Sequence, residues 1–195
     1  MKTFKILITA VLISASSLFA QTNWTFDQAH SNVNFTVTHM IISEVDGNFR
    51  SFDGKVVSDG DNFENAKIEF NVDINSINTD NEKRDQHLKS DDFFNAEKFP
   101  KMLFKSKSLK KESGKNWKMV GDLTIRDVTK EITLDVKFNG TIKDPWGNTR
   151  AGFKLTGELD RFDYNLKWNS ALETGGLVVS KEVEITANIE LIQSK

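Results

Sequence analysis

The sequence predicts an all-β protein with one short helical insertion, and two observations support this. Apolar and polar residues alternate with a period of two in segments separated by turn residues, a pattern typical of half-buried strands. The alternation is purest around Ile68, Phe70 and Val72, whose neighbours are all polar. In the first two thirds of the chain, the alternation has one long interruption, which lies between Asn81 and Pro100. The sequence therefore predicts a sheet into which a different element is inserted.

There are about eight alternating segments. An antiparallel sheet of eight strands can close into a barrel that has room inside for one ligand. Besides a short segment around Trp24, they are 32–39, 49–58, 66–74, 102–109, 117–125, 129–142, 151–159 and 183–191. Strict alternation also indicates that one face of the sheet contacts water. A closed barrel and a two-layer sandwich both satisfy this pattern, so the strand count leaves the choice open.

The insertion predicts a helix over 82–89, because that stretch has no glycine, proline or β-branched residue and Asp80 or Asn81 can cap it. Phe93, Phe94 and Phe99 follow the helix, and Pro100 prevents its continuation. A polar helix followed by three rings suits a lid over an apolar interior. The simpler alternative is a plug that closes a packed core.

The apolar face of the strands is unusually aromatic, since the chain has 15 phenylalanines and one tyrosine. Rings without a hydroxyl group suit an interior that offers no polar partner. Such an interior is either a solid core or a tunnel for a hydrocarbon chain.

Residues 1–20 predict a secretory signal peptide, with Lys2 and Lys5 before an apolar run and Ala20 at the cleavage site. We therefore expect a single periplasmic or secreted domain, residues 21–195, without an integral membrane segment. A retained membrane anchor is the alternative. The chain has no cysteine, which excludes disulfides. Loss of the two lysines with the peptide changes the formal charge from −2 to −4, which argues against binding nucleic acid.

Sequence motifs for catalysis or metal binding are weak. His30, His39 and His87 show no metal-ligand spacing, and the chain has no nucleophile elbow, so we expect no catalytic residue, metal or cofactor. The neighbours Arg84 and Asp85, and likewise Asp160 and Arg161, are interpreted as ion pairs that fix loops. Alternatively, Arg84 and His87 hold an anionic head group at a barrel mouth.

Several motifs carry a resemblance to a known family. They are Trp24-x-x-Asp27-x-x-His30-Ser31, Arg84-Asp85-x-His87-Leu88-x-Ser90-x-Asp92-Phe93-Phe94, Leu123-Thr124-Ile125-x-x-Val128-Thr129-Lys130, and Trp146-Gly147 with Arg150. Together they resemble the YceI family of polyisoprenoid-binding-like periplasmic proteins from Trp24 to the last strand. Members often have glycine where this chain has Asp127, a difference that we expect to alter only a surface turn.

The resemblance implies a lipocalin-like antiparallel barrel around an apolar tunnel, and binding rather than catalysis. The expected ligand is a polyisoprenoid or similar long-chain amphiphile, such as an isoprenoid quinone or a polyprenyl lipid. The predicted tunnel wall consists of Phe35, Val37, Phe70, Val72, Phe104, Leu134, Val136, Phe153 and Ile185. Arg84, His87 and Trp168 are the predicted mouth.

Two alternatives to the carrier remain at this point. One is an envelope-stress or structural barrel with a solid core and no ligand, and the other is an enzyme that uses one of the histidines. The oligomeric state is a separate question, and a homodimer is expected if the barrel does not shut fully and leaves a strand edge exposed.

Overall fold

The computed structural model describes residues 21–171 and 175–194, so the predicted signal peptide lies outside the described residues. Within that part of the chain the elements are β1 (Gln21–Phe26), β2 (Asn32–His39), β3 (Ser43–Phe49), β4 (Phe52–Asp59), β5 (Asn62–Asp73), β6 (Ile77–Asn78), α1 (Glu82–Lys89), β7 (Lys101–Ser113), β8 (Asn116–Ile125), β9 (Val128–Lys143), β10 (Thr149–Asp160) and β11 (Glu182–Gln193). Two short 3₁₀ turns span Ile74–Ser76 and Arg161–Tyr164.

The strands form a closed antiparallel barrel. Around the ring the order is β1, β4, β5, β7, β8, β9, β10 and β11, and β11 pairs back with β1 from Trp24↔Gln193 to Phe26↔Leu191. This pairing confirms the predicted eight-stranded barrel and excludes the sandwich. It also pairs the strand edge whose exposure was the reason to expect a homodimer. A dimer therefore stays a prediction, but it no longer has the support of an open edge.

The first three long strands are each interrupted once. β2, β3 and β6 continue β1, β4 and β5, and β2 pairs with β11 through Phe35↔Ile185. The segment 49–58, predicted as one strand, is divided at Arg50 and Ser51, where that strand bends. The interruptions let these strands curl while the ring stays continuous.

The two ends of the barrel differ. The plug end is the end with the turns 59–62, 113–116 and 143–149. The lid end is the end with the turns 40–42 and 125–128, α1 and the segments 161–171 and 175–181. Asp127 lies exposed in the turn 125–128, as expected for a surface turn.

Aromatic side chains fill the plug end. Trp24 and Phe63 are each only 1% exposed, with ring centroids 5.1 Å apart. Phe63 also packs edge-on against Phe153 at 4.9 Å, and Phe153 stacks on Phe138 at 4.9 Å. Trp24 Nε1 donates to Ser58 Oγ at 2.8 Å, which satisfies the polar atom of the ring. These contacts close this end of the barrel.

The lid end is covered by the predicted helix. Asn81 is the cap, because its side chain accepts a hydrogen bond from the Arg84 backbone N–H at 3.0 Å. The buried Asp85 accepts hydrogen bonds from Thr79, from the backbone N–H at 2.9 Å and from the hydroxyl at 2.6 Å. β6 pairs with β3, and α1 packs beside β6 rather than a further strand. The helix therefore fills the gap that the ring of strands leaves at this end.

Candidate ligand-binding site

The barrel encloses a cavity of about 560 Å³, a size typical of small-molecule sites. Its lining comes from the strands of the ring, from α1 and from the segment after the second 3₁₀ turn. All twelve residues predicted as wall or mouth lie on its surface, namely Phe35, Val37, Phe70, Val72, Phe104, Leu134, Val136, Phe153 and Ile185 with Arg84, His87 and Trp168. That these side chains bind a ligand stays a prediction. The interior is hollow, where a solid core was the alternative.

Two rings of the wall lie over glycines of neighbouring strands. Phe35 on β2 faces Gly47 on β3, and a Cβ atom at Gly47 would lie 2.2 Å from Phe35 Cζ. Likewise, a Cβ atom at Gly121 on β8 would lie 2.4 Å from Phe104 Cζ. Only glycine leaves room for such contacts. Because the rings cover backbone, they take less space from the cavity.

One face of α1 forms part of the cavity surface. Lys83, Arg84, His87 and Leu88 line it, and their spacing of three and four places them on the same side of a helix. Leu88 also anchors the loop that follows, since its carbonyl accepts a hydrogen bond from the Phe94 backbone N–H at 3.0 Å. The helix thus covers the end of the cavity with basic and apolar side chains.

An aromatic cluster joins α1 to the segment after the second 3₁₀ turn. The His87 ring meets Phe93 at 5.1 Å and Trp168 at 5.0 Å, both edge-on, and Phe93 lies 5.3 Å from Trp168. The predicted mouth residues His87 and Trp168 are therefore in contact. His87 Nε2 also lies 2.8 Å from Asp92 Oδ2, which holds the imidazole in place.

The interpretation of Arg84 and Asp85 as an ion pair is wrong. Arg84 donates from Nε to Thr79 Oγ1 at 2.7 Å and from Nη2 to the Thr79 carbonyl at 2.6 Å. Asp85 accepts from the same threonine. The two charged groups thus share Thr79 as a partner rather than pairing with each other. Neighbouring residues on a helix point in different directions, which separates their side chains.

The interpretation of Asp160 and Arg161 as an ion pair is also wrong. Asp160 caps the 3₁₀ turn by accepting from the Phe162 N–H at 2.9 Å, and Lys181 Nζ is 3.5 Å from its carboxylate. The Arg161 guanidinium instead donates to four backbone carbonyls, those of Leu166, Ser180, Trp168 and Val179, at 2.5, 2.8, 2.9 and 3.2 Å.

Arg161 is a cavity residue that the sequence analysis missed. It is 5% exposed and lies on the cavity surface, and its burial lowers the pKa of the guanidinium. Its carbonyl partners are backbone groups of two stretches, 166–168 and 179–180, that meet only in the folded chain, so no side-chain pattern could indicate them. The side chain hydrogen-bonds to backbone on both sides of the lid end, and among the described residues no carboxylate is bonded to its positive charge.

The charged side chains of the cavity lining share one sign of charge. Among the described residues, the lining contains Lys83, Arg84, Arg161, His39 and His87 but no aspartate or glutamate. All five belong to the lid end. The cavity is therefore apolar along the barrel and basic or titratable at one end.

A cluster of possible metal ligands lies outside the cavity. Ligand atoms of Asp27, His30 and Glu190 lie within 4.8 Å of one another. Arg150 Nη1 is already 2.6 Å from both Asp27 Oδ2 and Glu190 Oε1, and Arg150 Nε is 2.7 Å from Asp144 Oδ2. Burial opposes ionisation of Asp27, but hydrogen bonds from His30 and Arg150 prevail and lower its pKa to about 2. The cluster is an ion-pair network around an arginine.

A comparison with protein families matches the YceI-like domain to residues 24–191. This chain belongs to the YceI-like family. A UPF0312 protein of Staphylococcus aureus is 44% identical over 170 residues, which cover 87% of this chain and 96% of the relative.

Three solved structures have a similar fold. A Campylobacter jejuni YceI protein is 33% identical with a TM-score of 0.70, covering 81% of this chain and 90% of its own. Burkholderia cenocepacia BcnA is 20% identical with a TM-score of 0.73, covering 85% and 98%. A polyisoprenoid binding domain of Saccharophagus degradans, implicated in plant cell wall breakdown, is 16% identical with a TM-score of 0.64, covering 88% and 98%. The last two likenesses concern the fold alone.

In residues 21–171 and 175–194, none of the helices has the length and apolar character needed to cross a bilayer.

Proposed function

We propose that this protein binds and carries a long-chain apolar lipid of the polyisoprenoid class in the barrel cavity. The observation that carries the proposal is the cavity itself, a chamber of about 560 Å³ lined by apolar side chains. Removing an isoprene unit from water contributes roughly 3 to 4 kcal/mol, at about 0.8 kcal/mol per carbon. A few units enclosed by such a wall suffice for tight retention. The family membership supports binding over catalysis.

The polar part of the ligand lies at the lid end in this proposal. Lys83, Arg84 and Arg161 are cations on that part of the cavity surface, and His87 and Trp168 stand beside them. A quinone head group would accept hydrogen bonds from these donors, and an anionic head group would also gain from their charge. Hydrocarbon walls discriminate weakly between apolar chains, so these groups decide much of the specificity.

We further propose that the protein works outside the cytoplasm, in the periplasm or after secretion. A polyisoprenoid cannot cross an aqueous compartment unaided, because its transfer into water is strongly unfavourable. The carrier shields the chain during that passage. The support for this location is the predicted signal peptide together with the resemblance of the chain to periplasmic proteins.

The experiment is native mass spectrometry of residues 21–195 purified after export, followed by solvent extraction and identification of the bound molecule. We expect one long-chain isoprenoid per barrel. An apo mass that does not change after addition of quinones or polyprenols contradicts the proposal and favours the structural barrel without a ligand.

A variant pair on β9 tests whether the cavity holds the lipid. Val136 is buried on the cavity wall, whereas the next residue, Lys137, is exposed on the outer face. We expect Val136→Asp to abolish lipid retention, because a carboxylate in an apolar site is strongly unfavourable. Lys137→Asp should retain the lipid as wild type does.

A second variant covers the case in which Val136→Asp does not fold. Val136→Phe buries no charge but takes space from the bore, so the longest chain that the protein retains should become shorter. Retention of the same ligands by folded Val136→Asp and Val136→Phe would contradict the proposed site.

The head-group position is tested with a polyprenol and the polyprenyl phosphate of the same chain length. The basic lid end predicts that the phosphate binds several-fold more tightly, with a preference that falls in Lys83→Met and at high salt. An unchanged ratio of the two affinities in Lys83→Met would place the head group elsewhere.

A further inference from the structure

The turn between β2 and β3 exposes three consecutive large apolar side chains. Met40, Ile41 and Ile42 are 43%, 66% and 86% exposed, and no polar residue separates them. Single exposed apolar residues are common on protein surfaces, but contiguous groups of them mark interaction sites. This turn is also the outermost part of the hairpin, because β2 and β3 pair as far as His39↔Ser43.

The backbone of this turn suits other residues better. Met40 and Ile41 have φ angles of +50° and +67°, and the Ile42 N–H donates to the His39 carbonyl at 3.2 Å. Two successive positive φ angles are the pattern of a type I′ turn, which favours Asn-Gly. A β-branched residue such as isoleucine is unfavourable in this conformation. The turn thus keeps apolar side chains against both hydration and backbone preference, a combination typical of functional sites.

The exposed apolar tip is continuous with the cavity mouth. The Met40 N–H donates to the Val178 carbonyl at 2.8 Å, and His39 forms a bridge with Val179. His39, Val178 and Val179 all line the cavity. Leu177, 38% exposed, extends the apolar surface beside the tip. These backbone contacts therefore join the exposed tip directly to residues of the cavity lining.

We infer that the β2–β3 turn is a membrane-docking element, which inserts Met40, Ile41 and Ile42 into a phospholipid bilayer and places the lid end of the barrel against it. The inference deepens the proposed function, on which its purpose rests, because a carrier must collect its lipid from a membrane. The shape of the tip favours a bilayer over a protein partner. A stable protein interface buries about 800 Å² on each side, whereas three side chains at a hairpin tip form a narrow point. Interfacial anchors penetrate a bilayer by only about 5 to 10 Å, which such a point can do.

The charges near the tip indicate contact through apolar side chains rather than through anionic head groups. Lys181 is paired with Glu182 at 3.1 Å and with Asp160 at 3.5 Å, which offsets its charge. Glu44 and Asp46 lie on β3 behind the turn. Binding to vesicles should therefore change little with salt or with the fraction of anionic lipid.

The test is co-flotation with vesicles of phosphatidylethanolamine and phosphatidylglycerol at a 3:1 ratio. The tip variant combines Ile41→Asn with Ile42→Thr. The control combines Ile142→Thr with Trp146→Asn, which removes two exposed apolar side chains, 65% and 79% exposed, around the turn at the plug end. We expect the tip variant to lower the vesicle partition coefficient at least about tenfold. The control should stay within about twofold of wild type.

Folding and ligand capacity are measured on the same proteins. The tip variant should melt no lower than wild type, because asparagine tolerates a positive φ better than isoleucine does. Wild type and the tip variant should load equally with a polyprenol delivered from detergent. Uptake of the polyprenol from vesicles should be slower in the tip variant than in wild type. Absence of vesicle binding by wild type, or an equal loss in the control, overturns the docking inference. If neither wild type nor the tip variant loads polyprenol from detergent, the proposed function is contradicted. The docking inference is still decided by the vesicle partition coefficients.

Discussion

The plug end and the lid end of this barrel are built by different means. At the plug end, rings from several strands pack on one another around the fully buried Trp24, and Arg150 joins three carboxylates outside the cavity. At the lid end, an eight-residue helix and an irregular segment cover the opening with half-buried aromatic and basic side chains. The difference indicates that stability is concentrated at one end and access at the other. Elements with fewer buried contacts open at lower free energy, so we expect the lid end to be the place where a ligand would enter.

A matched pair of tryptophans gives the largest expected contrast. Trp24 is 1% exposed, whereas Trp168 is half-buried in the lid cluster. Trp24→Ala should lower the free energy of unfolding by about 3 to 5 kcal/mol, because the packed end cannot collapse around the void. Trp168→Ala should cost about 1 kcal/mol, as a partly exposed ring contributes less. Urea denaturation measures both, and equal losses would show that the two ends are equally packed.

The arginine network gives the next largest effect, and it depends on pH. Arg150 hydrogen-bonds to Asp144 and lowers the pKa of that carboxyl group below its usual range, and the pKa of Asp27 is about 2 in place of 3.8. A lowered pKa stabilises the fold above the unfolded value, and this contribution is lost as the pH falls from about 4 towards 2. Arg150→Met should therefore reduce the melting temperature at pH 7.

The melting difference between Arg150→Met and wild type should shrink on acidification to pH 2, as followed by circular dichroism. Lys107→Met, which removes an exposed ion pair with Asp122, serves as the control and should show little change at either pH. A melting difference for Arg150→Met that is the same at pH 7 and pH 2 would mean that Arg150 acts through packing.

The smallest predicted effect concerns the single tyrosine. Tyr164 is 1% exposed near the lid end, and its hydroxyl has no hydrogen-bond partner among the described residues. Burial raises its pKa to about 12. Tyr164→Phe should raise the free energy of unfolding by about 1 kcal/mol, since an unpaired buried hydroxyl is costly.

Alkaline pH provides an independent check on Tyr164. A raised tyrosine pKa stabilises the fold below the unfolded value of 10.0 and loses that contribution between pH 10 and 12. Wild type should lose more stability than Tyr164→Phe over this range. Absorbance at 295 nm that rises near pH 10 in the folded protein would show that the hydroxyl is hydrated.

Local patterns predicted much of this structure. Period-two alternation assigned Phe70, Val136 and the other wall residues to the inner face, because adjacent side chains in a strand point to opposite sides. The intrinsic preferences of residues 82–89 predicted the helix, and of the two candidate caps, Asp80 and Asn81, the structure uses Asn81.

Features that depend on contacts made only in the folded chain were not predictable from local patterns. Closure of the barrel depends on Trp24 meeting Gln193, which no local pattern indicates, and the resemblance supplied it instead. Arg161 and Arg84 were misassigned to neighbouring carboxylates, because their actual partners are backbone carbonyls and Thr79, which come together only in the folded chain.

The rings that lie over Gly47 and Gly121 imply that the calibre of the bore is set partly by residues without side chains. An alanine at either position would collide with a ring, at 2.2 or 2.4 Å, and tilt it towards the axis. The chamber would become narrower although none of the residues that form its wall had been changed. Two barrels with the same wall residues can therefore admit chains of different thickness, depending on a single methyl group behind a phenylalanine.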